Sequence, residues 1–359
     1  MPMPGFFSHV ALEKGYRTAY NYLHYQTFYN TRRPWLVKLL RYFQPYPAYI
    51  ELEITTYCNL KCAMCEHTYW NEKPRSMNFD QFKAVVDQFP YLKWIGLTGI
   101  GESYLNPDFH RILRHCKEDL GLIVEIFDAF YFVDETRARE LVEMGVDQIY
   151  CSLDGATKET YEKIRVGSDF DKVIQNIRNF VKIKNSRGQF FPVLDFHFII
   201  SKINYHEIIP YIELIADIAP GSKILFTRLL HSYQEIDSFF MDIPTKIMEE
   251  ANELAARLNV KLTWNMNTAC NKPLMKDCVT WYMPFIFVTG EVIPCCSGNE
   301  ANRREFQKAT SLGNIFEKPF SEIWWGNKYK KLRKQLRNGE RPEACADCCL
   351  YTHPENQQS

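Results

Sequence analysis

Strand-like and helix-like segments alternate from Tyr49 onward, and this alternation constrains the fold more than any other feature of the sequence. Six short segments are rich in β-branched and aromatic residues and are bounded by turn residues, which predicts strands. They are Tyr49–Thr56, Trp94–Thr98, Leu122–Phe127, Gln148–Leu153, Val193–Ile200 and Lys223–Leu229. Helical segments separate them, so the strands are expected to run parallel with right-handed crossovers. Six units are fewer than the eight of a closed barrel, which predicts an α/β fold with a partial (β/α)6 TIM-type barrel.

The predicted helices between the strands often begin at Asp, Asn or Thr, the residues that cap helix amino ends. They are Asn78–Gln88, Asp108–Glu118, Asp134–Met144, Thr157–Lys163, Asp171–Lys184 and Tyr205–Ile218, followed by a helix around Pro244–Leu258. We therefore divide the chain into an N-terminal helical extension (1–48), a barrel core (49–235), a linker helix (236–260) and a small C-terminal iron–sulfur domain (261–359).

The bulk composition narrows the class of protein. The 43 basic and 43 acidic residues give no net charge, which argues against steering toward nucleic acid. No secretory signal is recognisable in the first residues, and no apolar run reaches the roughly 20 residues that span a bilayer. The twelve cysteines are clustered rather than spread as a disulfide framework. This pattern predicts metal ligation in a reducing, cytoplasmic compartment.

The N-terminal extension is rich in aromatic residues and is locally basic. One interpretation is a helical segment that packs on the main domain. The other is a surface that makes a weak contact with a membrane or a protein partner.

Three cysteines, Cys58, Cys62 and Cys65, follow the first predicted strand on one short loop. A four-iron cubane usually takes four cysteine ligands, so three would leave one iron open for another ligand. The alternative is a structural zinc site with His67 as the fourth ligand.

Two further motifs end the second and fourth predicted strands. Glycines and an acid occur in the segment Gly96–Phe109, and a Ser-x-Asp pair opens the segment Ser152–Arg165. In this order, the three motifs resemble those of the radical S-adenosylmethionine (SAM) superfamily. The resemblance implies a 4Fe–4S cluster whose open iron binds SAM, and reductive cleavage of SAM to a 5′-deoxyadenosyl radical that abstracts a substrate hydrogen.

The resemblance also implies the SAM contacts. Met64 would pack against the adenine, and the glycine-rich segment would meet the amino group of SAM. Ser152 and Asp154 would bond hydroxyl groups, and Arg165 would clamp the carboxylate. The expected cofactor-binding residues are Met64, Gly99, Gly101, Glu102, Ser152, Asp154 and Arg165. The third strand departs from the family pattern because Asp128 stands where many relatives have Asn, so a SAM contact there is not carried over.

The C-terminal cysteines, with the segments Gly290–Cys295, Leu312–Ile315 and Ile323–Trp324 between them, resemble a SPASM or twitch extension. This resemblance implies one closed auxiliary 4Fe–4S cluster. Its expected ligands are Cys278, Cys295, Cys345 and Cys348, with Cys296 and Cys349 as substitutes. A four-cysteine zinc site is the alternative.

The fifth predicted strand presents Asp195 and His197 on one face. Polar groups that point into a barrel are costly unless they are used or satisfied. Asp195 and His197 are therefore expected to contact substrate or accept a proton, or else to form a hydrogen-bonded core pair. Cys270 and Cys151 have no assigned role and are candidate hydrogen-atom donors.

These observations predict a radical SAM enzyme that oxidises its substrate by dehydrogenation or crosslinking, with the auxiliary cluster as electron acceptor. Epimerisation with a cysteine donor, carbon–carbon bond formation and a non-enzymatic zinc module are the alternatives. The substrate class stays open among small molecules, sugars, lipids and peptides. A flavodoxin- or ferredoxin-type protein is the expected reductant, and no nucleic-acid partner is expected.

Overall fold

The computed structural model describes residues 6–28, 33–228, 235–265, 278, 280–296 and 303–346. Its strands are β1 (Tyr49–Leu52), β2 (Lys61–Cys62), β3 (Trp94–Leu97), β4 (Ile123–Asp128), β5 (Gln148–Ser152), β6 (Arg165–Val166), β7 (Val193–Ile200), β8 (Lys223–Arg228), β9 (Lys261–Asn265), β10 (Phe285–Ile286), β11 (Glu291–Ile293) and β12 (Gly313–Asn314). The first strand is shorter than predicted because the chain turns away beyond it, where the Thr56 N–H donates to the Arg75 carbonyl.

The helices are α1 (Phe6–Phe28), α2 (Pro34–Phe43), α3 (Glu66–Tyr69), α4 (Phe79–Val86), α5 (Phe109–Arg114), α6 (Glu135–Met144), α7 (Lys158–Ile164), α8 (Phe170–Ser186), α9 (Ile208–Ile218), α10 (Thr245–Arg257), α11 (Arg304–Ala309), α12 (Phe320–Trp324) and α13 (Asn327–Asn338). A helix lies within or overlaps each of the seven predicted segments, and the N-terminal extension is helical as expected, whereas α3 and the three C-terminal helices were not predicted. Asp134, Thr157 and Asp169 cap their helices by accepting a backbone N–H. None of the described helices is both long and apolar enough to cross a bilayer.

The sheet confirms the predicted partial barrel. The six predicted strands, β1, β3, β4, β5, β7 and β8, lie side by side in chain order and run parallel. The full order is β12-β11-β10-β1-β3-β4-β5-β7-β8-β9, so the described sheet is open. The apolar faces of these strands form one large core with the surrounding helices.

The sheet continues beyond the six strands at both edges. On one side β9 pairs in parallel with β8, although the sequence analysis began the C-terminal domain at residue 261. By its hydrogen bonds β9 belongs to the barrel sheet, and we propose that the C-terminal unit begins after it. On the other side β10 pairs in parallel with β1, and β11 and β12 follow in antiparallel order. The C-terminal unit therefore attaches directly to the first barrel strand.

Helix α1 covers the amino end of the barrel. The rings of Tyr22 and Tyr25 lie 5.2 and 4.2 Å from Trp94, the first residue of β3. The Glu13 carboxylate accepts from the backbone N–H groups of Phe190 and Phe191. The extension is thus packed on the main domain through one of its faces.

A buried ion pair joins the barrel to the C-terminal unit. Arg304, at the start of α11, donates through Nη1 to Glu53 at 2.9 Å and through Nη2 to the other carboxylate oxygen. Both side chains are almost fully buried. The guanidinium lies 4.7 and 4.6 Å from the ring centres of Trp70 and Phe287. The pair therefore fixes two distant parts of the chain against each other.

We expect the variant Glu53→Gln to lower the free energy of unfolding by about 3–5 kcal/mol, because it leaves the Arg304 charge buried without a carboxylate. The matched control is Asp87→Asn, which breaks the exposed Lys83–Asp87 pair. This control should change stability by less than about 1 kcal/mol. Denaturant unfolding of both variants measures the difference, and equal losses would contradict the expectation.

Candidate cofactor and cluster site

The cluster loop leaves β1 at the carboxyl edge of the sheet. Within it, β2 pairs in antiparallel with β6, which places Cys62 opposite Arg165. The Leu60 N–H donates to the Cys58 sulfur at 3.4 Å, and the Cys65 N–H donates to the Cys62 carbonyl at 3.1 Å. The loop is thus folded back by its own backbone bonds, which brings the three thiols near one another.

The three thiols are chemically suited to a cluster. Burial raises the pKa of Cys58 to about 11 and of Cys65 to about 12, and neighbouring thiols add to both shifts. Metal binding would therefore displace protons from them. No three His, Cys, Asp or Glu side chains in the described ranges close around a single ion. A cubane differs from such a site because each cysteine binds a different iron, so the donor set fits a cluster.

Two glycines let the second motif approach the cluster loop. A Cβ atom on Gly101 would lie 2.3 Å from the Thr55 carbonyl oxygen, so only glycine fits there. Gly99 has a φ of +154°, and a Cβ atom there would lie 2.6 Å from Glu53 Cγ. The Glu102 N–H then donates to the Tyr57 carbonyl at 2.8 Å. The glycine-rich segment therefore packs directly on the strand and loop that carry the cysteines.

Glu102 and Asp128 form a buried carboxyl pair in this region. Burial, and then the neighbouring Asp128 charge, raise the pKa of Glu102 well above its usual value, while burial raises the pKa of Asp128. The two carboxyl groups are neighbours that influence each other's ionisation. No donor reaches Glu102 Oε1 or Asp128 Oδ2 in the described structure. A pair that shares one proton keeps one negative charge, which is what an ammonium group needs.

The third motif is held by an ion pair between two of its predicted SAM contacts. Arg165 donates through Nε to Asp154 at 2.7 Å, and its Nη2 lies 2.5 Å from the same oxygen. The Asp154 carboxylate also accepts the Ile199 N–H at 2.7 Å. Arg165 already uses Nε and Nη2 to bind Asp154. To bind the SAM carboxylate as well, Arg165 would have to use its remaining N–H groups or change its position. These direct contacts stay predictions.

Met64 and Ser152 occupy positions that suit their predicted roles. Met64 is buried in a small apolar cluster with Ile164 and Ile236, close to Cys62. Ser152 ends β5 beside His197 of β7 in the parallel register.

His67, the alternative zinc ligand, is buried and places Nε2 3.0 Å from the Thr56 carbonyl. This contact gives His67 a structural role in the loop.

Asp195 and His197 share a strand face as predicted but lie at different depths. Asp195 is near the amino end of the barrel, where its carboxylate lies 3.2 Å from Lys223 Nζ. Tyr49 donates to both Glu51 and Glu125 in the same region. Asp195 is therefore satisfied in the barrel floor, far along the strand from the cluster loop. Asp195 thus has a structural role in the core, but its partner is Lys223 and not the expected His197.

His197 lies closer to the candidate site. Its Nε2 is 2.6 Å from Thr227 Oγ1, and it lies within electrostatic range of Asp154 and Arg165. Burial lowers the pKa of His197 to about 4. The imidazole is therefore uncharged at neutral pH, and the same burial makes it a weaker base than an exposed histidine.

The auxiliary cysteines are described in part. Cys278 and Cys295 are buried and Cys345 is partly buried, whereas Cys348, Cys349 and Cys270 lie outside the described residues. Cys295 and Cys345 both lie within electrostatic range of Tyr329. Cys296 instead lies within range of Tyr25 and Tyr49 at the barrel floor. Cys295 therefore shares a neighbouring ring with Cys345, another expected ligand, whereas Cys296 packs against the cluster of Phe285, Phe287 and Ile293.

Comparison with known families agrees with this arrangement. A model described as the radical SAM superfamily matches residues 52–215, and one described as an iron–sulfur cluster-binding domain, SPASM, matches residues 278–349. The chain belongs to the radical SAM superfamily and carries a C-terminal SPASM domain. The two domains imply a SAM-binding 4Fe–4S cluster, an auxiliary cluster and SAM. The number of auxiliary clusters stays a prediction of one.

Similar proteins extend the comparison over most of the chain. A Pyrococcus furiosus protein, named as a tungsten-containing aldehyde ferredoxin oxidoreductase cofactor-modifying protein, is 27% identical over 84% of this chain and 87% of its own. An AdoMet-dependent heme synthase of Methanosarcina barkeri is 24% identical over 85% and 89%. SuiB of Streptococcus suis, bound to SAM, shares the fold with a TM-score of 0.62 at 16% identity, over 82% of this chain and 70% of its own. AdoMet-bound anSMEcpe has a TM-score of 0.61 at 15% identity, over 81% and 84%.

Sequence reasoning missed the partners of several site residues. It placed no SAM contact at Asp128, because that residue departs from the family pattern, and it did not pair it with Glu102. It also did not recognise Arg304 as the partner of Glu53. A lone arginine in the C-terminal segment carries no local signal, because its partner lies some 250 residues away in the sequence.

We expect neutralisation of both Glu102 and Asp128, as in Glu102→Gln/Asp128→Asn, to weaken SAM binding roughly 10- to 100-fold, the usual range for a lost hydrogen bond to a charged group. The single variant Asp128→Asn keeps one carboxylate and should bind SAM within about threefold of the wild type. Equilibrium titration of reconstituted protein with SAM provides the measurement, with iron content checked in each sample. Unchanged affinity in the double variant would refute the assignment.

Proposed function

We propose that this radical SAM enzyme oxidises a substrate carbon by two electrons, in a dehydrogenation or crosslinking reaction. When bound, the cluster and SAM supply a 5′-deoxyadenosyl radical that takes one hydrogen atom from the substrate. The substrate radical would then have to lose one electron, for which the auxiliary cluster would be the acceptor, and one proton, for which a side chain would be the base. The balance is two electrons and two protons removed from the substrate, while one electron from the reductant cleaves SAM to methionine and, after hydrogen transfer, 5′-deoxyadenosine.

One observation carries this proposal. Strand β10 pairs in parallel with β1, which leads toward Cys58, and β11 then runs back antiparallel to β10 and leads to Cys295. The buried pair of Glu53 and Arg304 reinforces the same junction. The loop that carries Cys58 and the segment that carries Cys295 are therefore fixed to one continuous sheet, with Cys295 toward its amino edge, and such a fixed spacing supports electron transfer from the substrate to a second cluster.

The residues of the barrel supply binding and orientation. The carboxyl pair of Glu102 and Asp128 would hold the ammonium group of SAM, and Met64 would pack against its adenine. The ion pair of Asp154 and Arg165 fixes the loop opposite Cys62. His197 is the proposed proton acceptor, because its imidazole is uncharged and faces this region. Asp195 is omitted from the proposed base because Lys223 neutralises it.

Epimerisation would need a thiol that returns a hydrogen atom. Cys151 packs toward the helices, where it lies within electrostatic range of Tyr161 on α7 and Tyr211 on α9. That side of the strand faces away from the lumen. Cys270 lies outside the described residues, so neither thiol adds support for this alternative. Bond formation likewise has no observation in its favour.

The similar proteins indicate which classes of substrate should be tested first. The relatives are named for cofactor modification and heme synthesis, and solved structures of similar fold hold peptides. Peptides and tetrapyrrole-type cofactors are therefore the first substrates to test. A flavodoxin- or ferredoxin-type protein is the proposed reductant, in the cytoplasm.

We expect Cys295→Ala to reduce iron from about eight to about four atoms per chain, since it removes an auxiliary ligand. The variant should still form 5′-deoxyadenosine from SAM but should lose the oxidised product. The matched control, Cys296→Ala, should keep about eight irons and full oxidation. Iron analysis and mass spectrometry of both products provide the measurement.

Two results would contradict the proposal. Oxidised product from a Cys295→Ala protein with about four irons would remove the auxiliary cluster from the reaction. Absence of 5′-deoxyadenosine from fully loaded wild-type protein, reduced in the presence of SAM, would reject the radical chemistry itself.

A further inference from the structure

Although the chain has no net charge, its basic and acidic residues are unevenly distributed along the sequence. Between Lys14 and Ile50 there are six Lys or Arg residues and no Asp or Glu. These residues belong largely to α1 and α2. Arg33 and Lys38 are among them and are exposed. Positive charge attracts anionic surfaces, and the attraction acts within about 8–10 Å at ordinary ionic strength.

The same two helices expose apolar side chains in an ordered pattern. Tyr16, Tyr20 and Leu23 of α1 are spaced i, i+4 and i+7, which places them on one helix face. Trp35, Leu39 and Tyr42 repeat this spacing on α2. Tyr16 is 88% exposed and Trp35 is 62% exposed.

These side chains are a large share of the apolar surface. With Phe43, the two helices carry seven of the fifteen large apolar or aromatic side chains that are exposed in the described chain. The opposite faces are packed, since Tyr22, Leu36 and Leu40 are buried in the core. Each helix therefore packs one side on the fold and exposes the other, where Tyr20 also lies 5.0 Å from Lys93 Nζ.

We propose that α1 and α2 form a docking surface for an anionic phospholipid membrane. Trp, Tyr, Phe and Leu on one helix face together with Lys and Arg are the composition of helices that lie in a membrane interface. Basic residues attract the lipid headgroups, and the aromatic side chains enter the boundary between headgroups and acyl chains. An acidic protein would satisfy the charge but not this width of exposed aromatic surface.

The position of the surface leaves the candidate site accessible. Helix α1 packs on Trp94 and Tyr49, which begin β3 and β1 at the amino end of the barrel. The cluster loop leaves β1 at the opposite end. A membrane bound by α1 would therefore lie away from the mouth through which SAM enters.

The test is co-sedimentation of the reconstituted full chain with vesicles of phosphatidylglycerol or of phosphatidylcholine. We expect binding to the anionic vesicles that weakens at least tenfold between low and high salt, with little binding to the zwitterionic ones. The variant Trp35→Ser/Leu39→Ser should bind at least tenfold more weakly. The matched control, Tyr91→Ser/Phe316→Ser, removes two exposed aromatic residues elsewhere and should bind like the wild type.

Three results would overturn the lipid proposal. They are absence of vesicle binding at low salt, equal binding to both lipids, and an equal loss in the control variant. A concentration-dependent dimer that Trp35→Ser/Leu39→Ser abolishes, in protein that ignores vesicles, would instead assign the surface to a second copy of the chain.

A second inference rests on an independent observation in the SPASM domain. Arg333 of α13 is only 2% exposed, and none of its three guanidinium nitrogens has a hydrogen-bond partner in the described structure. The guanidinium lies 4.3 to 5.4 Å from the ring centres of Trp281, Trp324, Trp325 and Tyr329. A buried cation is costly without a compensating negative charge.

The described auxiliary cysteines belong to the same packed region as these rings. Cys278 precedes Trp281 by three residues, Cys345 packs against the core cluster that contains Trp324 and Tyr329, and Tyr329 is within electrostatic range of Cys295 and Cys345. A cubane with four thiolates carries net negative charge. We propose that Arg333 is the charge partner of the auxiliary cluster and raises its reduction potential. This inference rests on the proposed presence of that cluster but not on the oxidation reaction.

The test is a redox titration of the auxiliary cluster followed by electron paramagnetic resonance. We expect Arg333→Met to shift the midpoint to a more negative potential, because loss of a positive charge disfavours the added electron. Arg333→Lys keeps the charge and should titrate near the wild type. Arg337→Met removes an exposed charge one turn further along α13 and is the matched control.

Iron content distinguishes a change in the midpoint potential of the cluster from loss of the cluster. Selective loss of about four irons in Arg333→Met, with about eight kept in Arg337→Met, would show that the charge is needed to hold the cluster. Equal midpoints and equal iron in Arg333→Met and Arg337→Met would overturn the proposal. About four irons in the wild type would instead remove the auxiliary cluster on which it rests.

Discussion

The buried ion pair between Glu53 and Arg304 connects the parts of this molecule that the chemistry requires together. Glu53 follows β1 and precedes the cluster loop, while Arg304 begins a helix of the C-terminal unit. The same carboxylate accepts the backbone N–H of Ile100 at 3.4 Å and of Val288 at 3.3 Å. Gly99 packs on its side chain. Because neither charge is tolerable alone in a buried setting, the strand, the glycine-rich segment and the C-terminal unit are held in one arrangement.

This junction fixes the two sets of cysteines within one structural unit. The C-terminal unit could have been attached by a flexible linker, but β10 extends the barrel sheet beside β1. The paired strands and the ion pair act at the same edge. Movement of the SPASM domain would therefore disturb the loop that carries Cys58, and the geometry of both candidate cluster sites is coupled.

The two ends of the barrel have different tasks. Its carboxyl end gathers the cluster loop, the carboxyl pair and His197, as expected for parallel barrels, whose loops at this end carry function. Its amino end is filled by satisfied polar groups, including Tyr49, Glu51 and Asp195, and is covered by α1. The exposed side of that cover is the surface that we assign to lipid. The radical chemistry and the proposed lipid contact would thus lie at opposite ends of the barrel.

The sequence by itself determined the strand order, the helix positions and the cysteine loop, because periodicity, caps and close spacing are local signals. Tertiary structure decided which polar groups serve the site. Asp195 and His197 look equivalent in the sequence, yet Lys223 neutralises one and burial leaves the other uncharged. Cys295 and Cys296 are neighbours that meet different surroundings. The partners of Glu53, Glu102 and Arg333 lie far away along the chain or outside it, and only packing brings such charges together.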